Sequence, residues 1–252
     1  MMEKNNKKTA FSLIELSIVI MIIAIIISGA ATISETSIKK AKKENTINKL
    51  EQIKEAINIY AYINKKLPCP ASLHAIETDS DYAKSVGDDG NCIVDSGSII
   101  SSEGDSNKMV YGALPAKTLG LSSELAKDDF DNKFSYIVAV DLTEKYSESG
   151  NLGFEAIDNE DTDLITIKEG ISASNITEKA AYIVISHGFN GYGAFNANSG
   201  PSQNSTTSIV SDEENNIYKS DYNNIFLINS ANSNFDDISI YNIRENIMHQ
   251  SG

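Results

Sequence analysis

The fold of this chain is decided near its start by residues 11–31, which read FSLIELSIVIMIIAIIISGAA. This run is long enough to cross a bilayer as an α-helix, and its only charged side chain is Glu15. It follows a short polar stretch that contains Lys4, Lys7 and Lys8. Because a carboxylate at the centre of a membrane helix costs on the order of 3 kcal/mol, we expect Glu15 to have a partner.

Three interpretations of this run compete. A secretory signal peptide would be cut after the small residues 29–31, but its apolar region would be too long and would contain a carboxylate. A plain single-span anchor explains the length and gives Glu15 no task. A cut between Ala10 and Phe11 creates an α-amine, which in a helix bundle could pair with Glu15 of a neighbouring subunit and set the axial register. Pairing of Glu15 with its own amine, or a protonated Glu15, is the alternative.

The basic leader, the small residue Ala10 and the run from Phe11 resemble the prepilin signature of type IV pilins and type II secretion pseudopilins. In that family a prepilin peptidase cuts before the Phe and methylates its new amine, and the Glu at the fifth mature position is needed for assembly. The resemblance therefore implies that Ala10 and Phe11 form the cleavage and methylation site and that Glu15 is the assembly residue. Ala10 stands where the family usually has Gly.

The resemblance also implies partners and a location. The partners are other pilin or pseudopilin subunits, the prepilin peptidase and the inner membrane. The chain would cross the inner membrane once, with its C-terminal domain in the periplasm, and would enter a pilus or pseudopilus after assembly. The alternative is a membrane-tethered periplasmic domain that binds a ligand or partner and does not polymerise.

A helical pattern continues beyond the apolar run. Apolar residues recur at steps of three and four, namely Ile47, Leu50, Ile53, Ile57, Tyr60 and Ala61. No Pro or Gly interrupts residues 30–66, and Pro68 then ends the helix. The pattern predicts one helix from Phe11 to about Lys65, with a break near residues 28–29 as the alternative.

The C-terminal part of the chain predicts strands. Runs rich in β-branched and aromatic residues occupy residues 135–140, 164–167, 181–186, 225–228 and 237–241. Because these runs lie far apart with turns between them, we expect an antiparallel sheet rather than βαβ units. Residues 242–249 predict a short closing helix, and the Ser- and Gly-rich stretches 95–106 and 193–208 predict surface loops.

These elements define the predicted organisation. Residues 1–10 are the leader, residues 11–65 the transmembrane and assembly helix, and residues 66–252 a periplasmic globular domain. The fold class is α+β and pilin-like, with a long N-terminal helix, transmembrane and then amphipathic, packed on an antiparallel β-sheet.

The net charge and the two cysteines limit the kinds of partner and metal site that we expect. The formal charge of −14 repels phosphate backbones, so a nucleic-acid partner is not expected. Cys69 and Cys92 lie in no CxxC pair or His-rich cluster, which argues against zinc. In an exported domain they predict a disulfide, with two buried free thiols as the alternative.

The sequence offers one candidate metal site and no catalytic set. The late carboxylates Asp212, Glu213, Asp221, Asp236 and Asp237 are hard oxygen ligands of the kind that calcium binds. Major pseudopilins, which the chain resembles, have a calcium site in a late loop. Acidic loops without EF-hand spacing are, however, usually only solvated. No other cofactor is expected. Ser186 and His187 are adjacent on a predicted strand and point to opposite faces, so we predict that the chain is not an enzyme.

Overall fold

The computed structural model describes a large part of the chain. The described residues are 12–87, 91–92, 99–101, 108–145, 164–170, 172–205, 212–218, 225–229 and 235–249. By its contacts the chain divides into two compact units, Met1–Lys42 and Lys43–Gly252. The boundary lies within the first helix, so the second half of that helix belongs to the same unit as the sheet.

Helix α1 runs without a break from Leu13 to Asn64. Its 52 residues span about 78 Å at 1.5 Å per residue. The helix ends because Lys65 adopts a left-handed conformation, with φ of 57°, and its N–H reaches the carbonyl of Ala61 at 2.8 Å. The prediction of one long helix is confirmed for the described residues, and the alternative of a break near residues 28–29 is wrong.

The first unit presents apolar side chains to its surroundings. Leu13, Ile14 and Met21 are each at least two-thirds exposed, and other aliphatic side chains up to Ile26 are about half exposed. Within the described residues, the helices do not combine the length and apolar character that crossing a membrane requires.

Among the described residues of the second unit, seven strands form one sheet. The strands are β1 Ile99–Ser101, β2 Lys108–Ala113, β3 Ser135–Ala139, β4 Ile165–Glu169, β5 Asn175–Ser186, β6 Ile225–Ile228 and β7 Ile238–Ile243. Their order is β1-β2-β3-β5-β4-β6, and β7, which lies off this path, pairs with β5 along the residues whose other edge pairs with β3. The twelve-residue β5 is therefore the central strand, since it contacts β3, β4 and β7.

The sheet is mixed, so the prediction of an antiparallel sheet is wrong in one place. Strands β4 and β6 run parallel, with Thr166 opposite Ile225 and Glu169 opposite Ile228. Strand β5 lies between β4 and β6 in the sequence and runs antiparallel to β4. Because the chain reverses direction again after β5, β6 can lie beside β4 and run in the same direction as β4. The five strand runs predicted from the sequence are all present, whereas β1 and β2 were missed.

Both faces of the sheet are buried, which is why its central strands lack a polar face. On one face, the α1 residues Leu50, Ile53 and Ile57 belong to the same buried cluster as alternate residues of β3 and β5, such as Val138 and Val184. On the other face, a second buried cluster contains Tyr111, Ile137, Ile167, Ile183, Ile185, Phe195 and Phe226. The second half of α1 thus covers one face of the sheet.

Polar contacts fix the second half of α1 on the sheet. The amide oxygen of Asn58 accepts hydrogen bonds from the Tyr182 hydroxyl at 3.0 Å and from the Asn242 amide at 3.2 Å. Nearer the start of this half of the helix, Lys49 pairs with Asp129 at 2.6 Å. These buried and half-buried bonds select one position of the helix along the sheet, because a shift would leave them unmade.

The segments after α1 are held covalently and by burial. Cys69 and Cys92 form a disulfide across a sequence separation of 23 residues, which is one of the two states that the sequence left open. Helix α2, Arg244–His249, closes the chain as predicted. The expectation of a surface loop over residues 193–208 is wrong for its first part, because Ala194, Phe195 and Ala197 are buried.

Candidate functional site

The start of α1 contains the first candidate residue, Glu15. Its carboxylate accepts a hydrogen bond of 3.1 Å from the backbone N–H of Ser12, and the carbonyl of Ser12 accepts the first helical bond, from Leu16. Ser12 and Glu15 therefore have the spacing of a capping box, in which a Glu three residues into the helix reaches back to the N-cap amide. Ala10 and Phe11, the candidate cleavage and methylation site, lie outside the described residues.

The helix around Glu15 is apolar on every side. Its exposed aliphatic residues are Leu13, Ile14, Leu16, Ile18, Val19, Ile20, Met21, Ile22, Ile23, Ile25 and Ile26. Burial of apolar surface contributes about 25 cal/mol per Å², so removing these side chains from water would be favourable. Glu15 would lose water at the same time, and a positively charged partner would offset that cost.

A second candidate site is an acidic cluster in the sheet unit. Carboxylate oxygens of Glu213, Asp236 and Asp237 all lie within 4.8 Å of one another. Glu213 is on a 3-10 turn, and the two aspartates directly precede β7. Of the five carboxylates that the sequence singled out, these three meet; Asp212 does not belong to the group, and Asp221 lies outside the described residues.

Neighbouring amides hold the three carboxylates in place. The Asn190 side chain donates to both Glu213 oxygens, at 3.0 and 3.2 Å, and its backbone N–H donates to Asp236 Oδ2 at 2.9 Å. Asn216 Nδ2 donates to Asp237 Oδ2 at 2.9 Å. The other oxygen of Asp236, Oδ1, is buried and has no hydrogen-bond partner among the described residues.

A glycine allows this close packing. Gly188 has a φ of 62°, a region that L side chains rarely adopt, and a Cβ at this position would lie 2.4 Å from the carbonyl oxygen of Asp236. The turn after β5 can therefore approach Asp236 only because residue 188 has no side chain.

Electrostatics make the cluster costly as it stands. Burial raises the pKa of Asp237 well above its usual range, and the charges of Glu213 and Asp236 raise it further. Burial likewise raises the pKa of Glu213, assisted by the charge of Asp236. In the described part of the chain, the ion pairs of Lys49 and Lys127 are made with other carboxylates. The arrangement suits a hard divalent cation, which would satisfy the oxygens and remove their mutual repulsion.

A buried polar network adjoins the cluster. His187 Nε2 lies 2.8 Å from Ser135 Oγ, and the Tyr111 hydroxyl donates to the same Oγ at 2.8 Å. On its other side, His187 Nδ1 lies 3.8 Å from Asp237 Oδ1 and has no hydrogen-bond partner among the described residues. Burial lowers the pKa of His187 to about 4, so the imidazole is neutral at neutral pH.

The network contains a serine, a histidine and an aspartate, but its geometry differs from that of a Ser-His-Asp catalytic triad. The serine is Ser135 and not the adjacent Ser186, whose hydroxyl donates to Asp128 at 2.7 Å. Ser135 is 2% exposed and His187 is fully buried, so no substrate atom can reach the hydroxyl. The separation of 3.8 Å at Nδ1 is also too long for the hydrogen bond that orients a catalytic histidine.

Comparison with known proteins gives one match. Residues 5–31 match the family model described as the prokaryotic N-terminal methylation motif. No curated protein and no solved structure matches the chain significantly. The matched residues include Ala10, Phe11 and Glu15, together with the exposed aliphatic residues at the start of α1. The chain therefore carries, at its N-terminal end, the prepilin-type signature of type IV pilins and pseudopilins.

Proposed function

We propose that this chain is a structural subunit of a type IV pilus or a type II secretion pseudopilus. Prepilin peptidase cuts it between Ala10 and Phe11 and methylates the new amine. The subunit resides in the inner membrane with its C-terminal domain in the periplasm, and it assembles with other subunits through the first half of α1. Its function is self-association rather than catalysis.

The observation that carries this proposal is the coincidence of the methylation motif with a helix that is apolar on all sides. The motif covers residues 5–31, and the described aliphatic side chains in that range are exposed. Single surface hydrophobics are common on folded proteins, but a continuous apolar helix surface is a site of contact with lipid or with other proteins. In a filament, neighbouring helices supply that contact.

Glu15 supplies the register of the assembly. Among the described residues of the single chain, the carboxylate of Glu15 accepts one hydrogen bond, from the backbone amide of Ser12. When α1 helices bundle and exclude water, the α-amine of Phe11 from an adjacent subunit can compensate the charge. Since a misaligned helix would leave both charges buried and unpaired, the pair selects one axial offset.

The mass of the mature N-terminus tests the proposal. We expect the purified protein from expressing cells to begin at Phe11 and to carry one added methyl group on its α-amine. Peptide mass spectrometry of the N-terminal fragment measures both. An intact Met1, or a chain that begins after Ala31, would refute processing by a prepilin peptidase. In a matched control, cells that lack the peptidase should yield the chain with residues 1–10 still attached.

We also propose that Glu213, Asp236 and Asp237 bind a calcium ion. One observation supports it besides the acidic character of the cluster: the buried Asp236 Oδ1 lacks a hydrogen-bond partner in the described structure. Calcium takes six to eight oxygen ligands, so backbone carbonyls and waters would complete the site. An ion there would stabilise the turn after β5 against the start of β7.

Calcium should therefore raise the melting temperature of the intact protein. At a hundredfold excess over Kd, binding stabilises the folded state by about 2.7 kcal/mol. For a domain of this size that corresponds to roughly 5–10 °C. Differential scanning fluorimetry with calcium and with chelator measures the shift, and Glu213→Gln or Asp237→Asn should remove it.

The neighbouring exposed residue Glu214 provides the matched control for calcium. Because Glu214 lies outside the three-carboxylate group, Glu214→Gln should keep the calcium-dependent shift. Equal melting temperatures of the unaltered protein in calcium and in chelator would dismiss the site. The buried carboxylates would then be accommodated by protonation.

A further inference from the structure

Strand β7 has one edge that no described strand covers. Its register with β5 runs from Ile238 opposite Ser186 to Ile243 opposite Ala180, and among the described residues β7 forms no other ladder. Alternate N–H and C=O groups of an edge strand point away from its single neighbour and are available to another strand. β7 thus offers about 20 Å of open edge, at 3.3 Å per residue.

At the outer edge of β6, a side chain occupies backbone groups that could otherwise pair with another strand. There the Asn216 side chain accepts from the Leu227 N–H at 2.9 Å and donates to the Leu227 carbonyl at 2.8 Å. One amide thereby occupies both outward backbone groups of Leu227. In the described structure β7 has no such side-chain cover along its middle, from Ser239 to Tyr241, which makes it the open edge of the two.

Open space accompanies the β7 edge along its whole length. A cavity of about 320 Å³ lies at the start of β7, between Lys43 of α1 and the ends of β4 and β6 at Glu169 and Ile228. A second cavity of about 340 Å³ lies beside the end of β7, next to Lys54. Ser239 lines both cavities, and we refer to the two cavities together as the groove along β7. Together they adjoin residues from Asp237 to Ile243.

The charges at the two ends of the groove are complementary under a two-fold rotation. Lys43 and Glu169 line its start and Lys54 lines its end, while the exposed Glu245 is the second residue after β7, following Arg244. A self-complementary contact about a two-fold axis perpendicular to the sheet makes the two strands antiparallel. The start of one strand then faces the end of the other, which places Lys54 opposite Glu169 and Lys43 opposite Glu245.

We infer that β7 pairs antiparallel with β7 of a second copy of this chain, so that the sheets of the two copies become continuous. Backbone hydrogen bonds supply the attraction common to all strand additions, and the lysine–glutamate pairs at the two ends select this partner and orientation. The inference concerns the sheet unit and does not depend on the role of the N-terminal helix.

Isotope-mixed cross-linking of the full-length chain tests the pairing. Unlabelled and ¹⁵N-labelled protein are equilibrated together in detergent and treated with a carbodiimide, which joins a lysine directly to a carboxylate in contact with it. We expect Lys54–Glu169 and Lys43–Glu245 cross-links in which one peptide is light and the other heavy. Cross-links with both peptides of one isotope only would overturn the inference.

Charge exchange provides the sharper test. Lys54→Glu should lower the yield of the mixed-isotope Lys43–Glu245 cross-link by about tenfold, because two like-charged contacts then face each other across the axis. The double variant Lys54→Glu with Glu169→Lys should restore it, whereas the exposed control Lys179→Glu should leave it unchanged. An unchanged yield in Lys54→Glu, or a double variant no better than the single one, would contradict the pairing. Lys54 cross-links to a different protein, when membranes of expressing cells are treated, would likewise exclude a second copy as the occupant.

Discussion

Replacing Glu15 by Leu is expected to abolish filament formation while the protein still inserts into the membrane. The substitution makes the run from Phe11 more apolar, so insertion is not impaired. It removes the charge that we propose to pair with the methylated amine of a neighbouring Phe11, and that amine would then be buried without this partner. Breaking a buried pair by removing one member costs about 3–5 kcal/mol, which per contact is enough to prevent ordered assembly.

Glu15→Gln separates the two tasks of this side chain. A Gln can still accept the hydrogen bond from the Ser12 amide, since Glu and Gln both serve at this position of a capping box. Assembly should nevertheless fail in Glu15→Gln, because the charge is lost. The exposed Glu55 lies on the same helix and provides the control: Glu55→Leu should assemble normally.

Electron microscopy of sheared filaments and fractionation of membranes measure the two outcomes. Filaments of normal abundance from Glu15→Leu would contradict the proposed role. An unaffected activity of the chain in that variant would favour the tethered, non-polymerising domain.

Removing the disulfide is expected to have the largest effect on stability. The bond between Cys69 and Cys92 closes a loop of 23 residues in sequence separation, and the chain-entropy model assigns about 3 kcal/mol to a loop of this size. Both cysteines are buried in the cluster that also contains Leu50 and Ile53 of α1. The unfolded chain without the bond gains freedom, and the segment after α1 is no longer fixed against the sheet.

The double variant Cys69→Ala with Cys92→Ala should therefore melt about 6–12 °C lower than the unaltered protein. Thermal unfolding followed by circular dichroism measures the shift. A reductant should lower the melting temperature of the unaltered protein by a similar amount and should not affect the double variant further. If the double variant and the unaltered protein melt together, the disulfide does not stabilise the fold.

The long helix and the processing motif at its start could be predicted from the sequence because their signals are local. The local signals are a basic leader, one acid in an aliphatic run and a helix-breaking Pro68. They predict one helix, and the structure has one helix from Leu13 to Asn64. The strands were also predicted where β-branched and aromatic residues are frequent, as in the AYIVIS end of β5. Strand β2, with the sequence KMVYGA, contains a Lys and a Gly, so its local signal was weak, and its position in the sheet depends on pairing with β3.

The candidate cation site could be predicted only in part. The sequence singled out five late carboxylates, because acidic side chains near turns are common calcium ligands, but it could not say which of them meet. Glu213 reaches Asp236 and Asp237 across more than twenty residues, and the close approach of the Gly188 turn holds them there. Similarly, the hydroxyl beside His187 belongs to Ser135, on a neighbouring strand, and not to the adjacent Ser186.

By itself the sequence determined the long helix, its apolar beginning, the processing signature and most of the strands, because each depends on residues within a few helical turns or strand positions of one another. Only the tertiary structure decided the parallel pairing of β4 with β6, the three-carboxylate cluster, the His187 network and the open edge of β7. These features depend on the order of strands in the sheet. That order is stabilised by the burial of both sheet faces, which brings together residues that are distant in sequence. No local sequence pattern encodes such contacts.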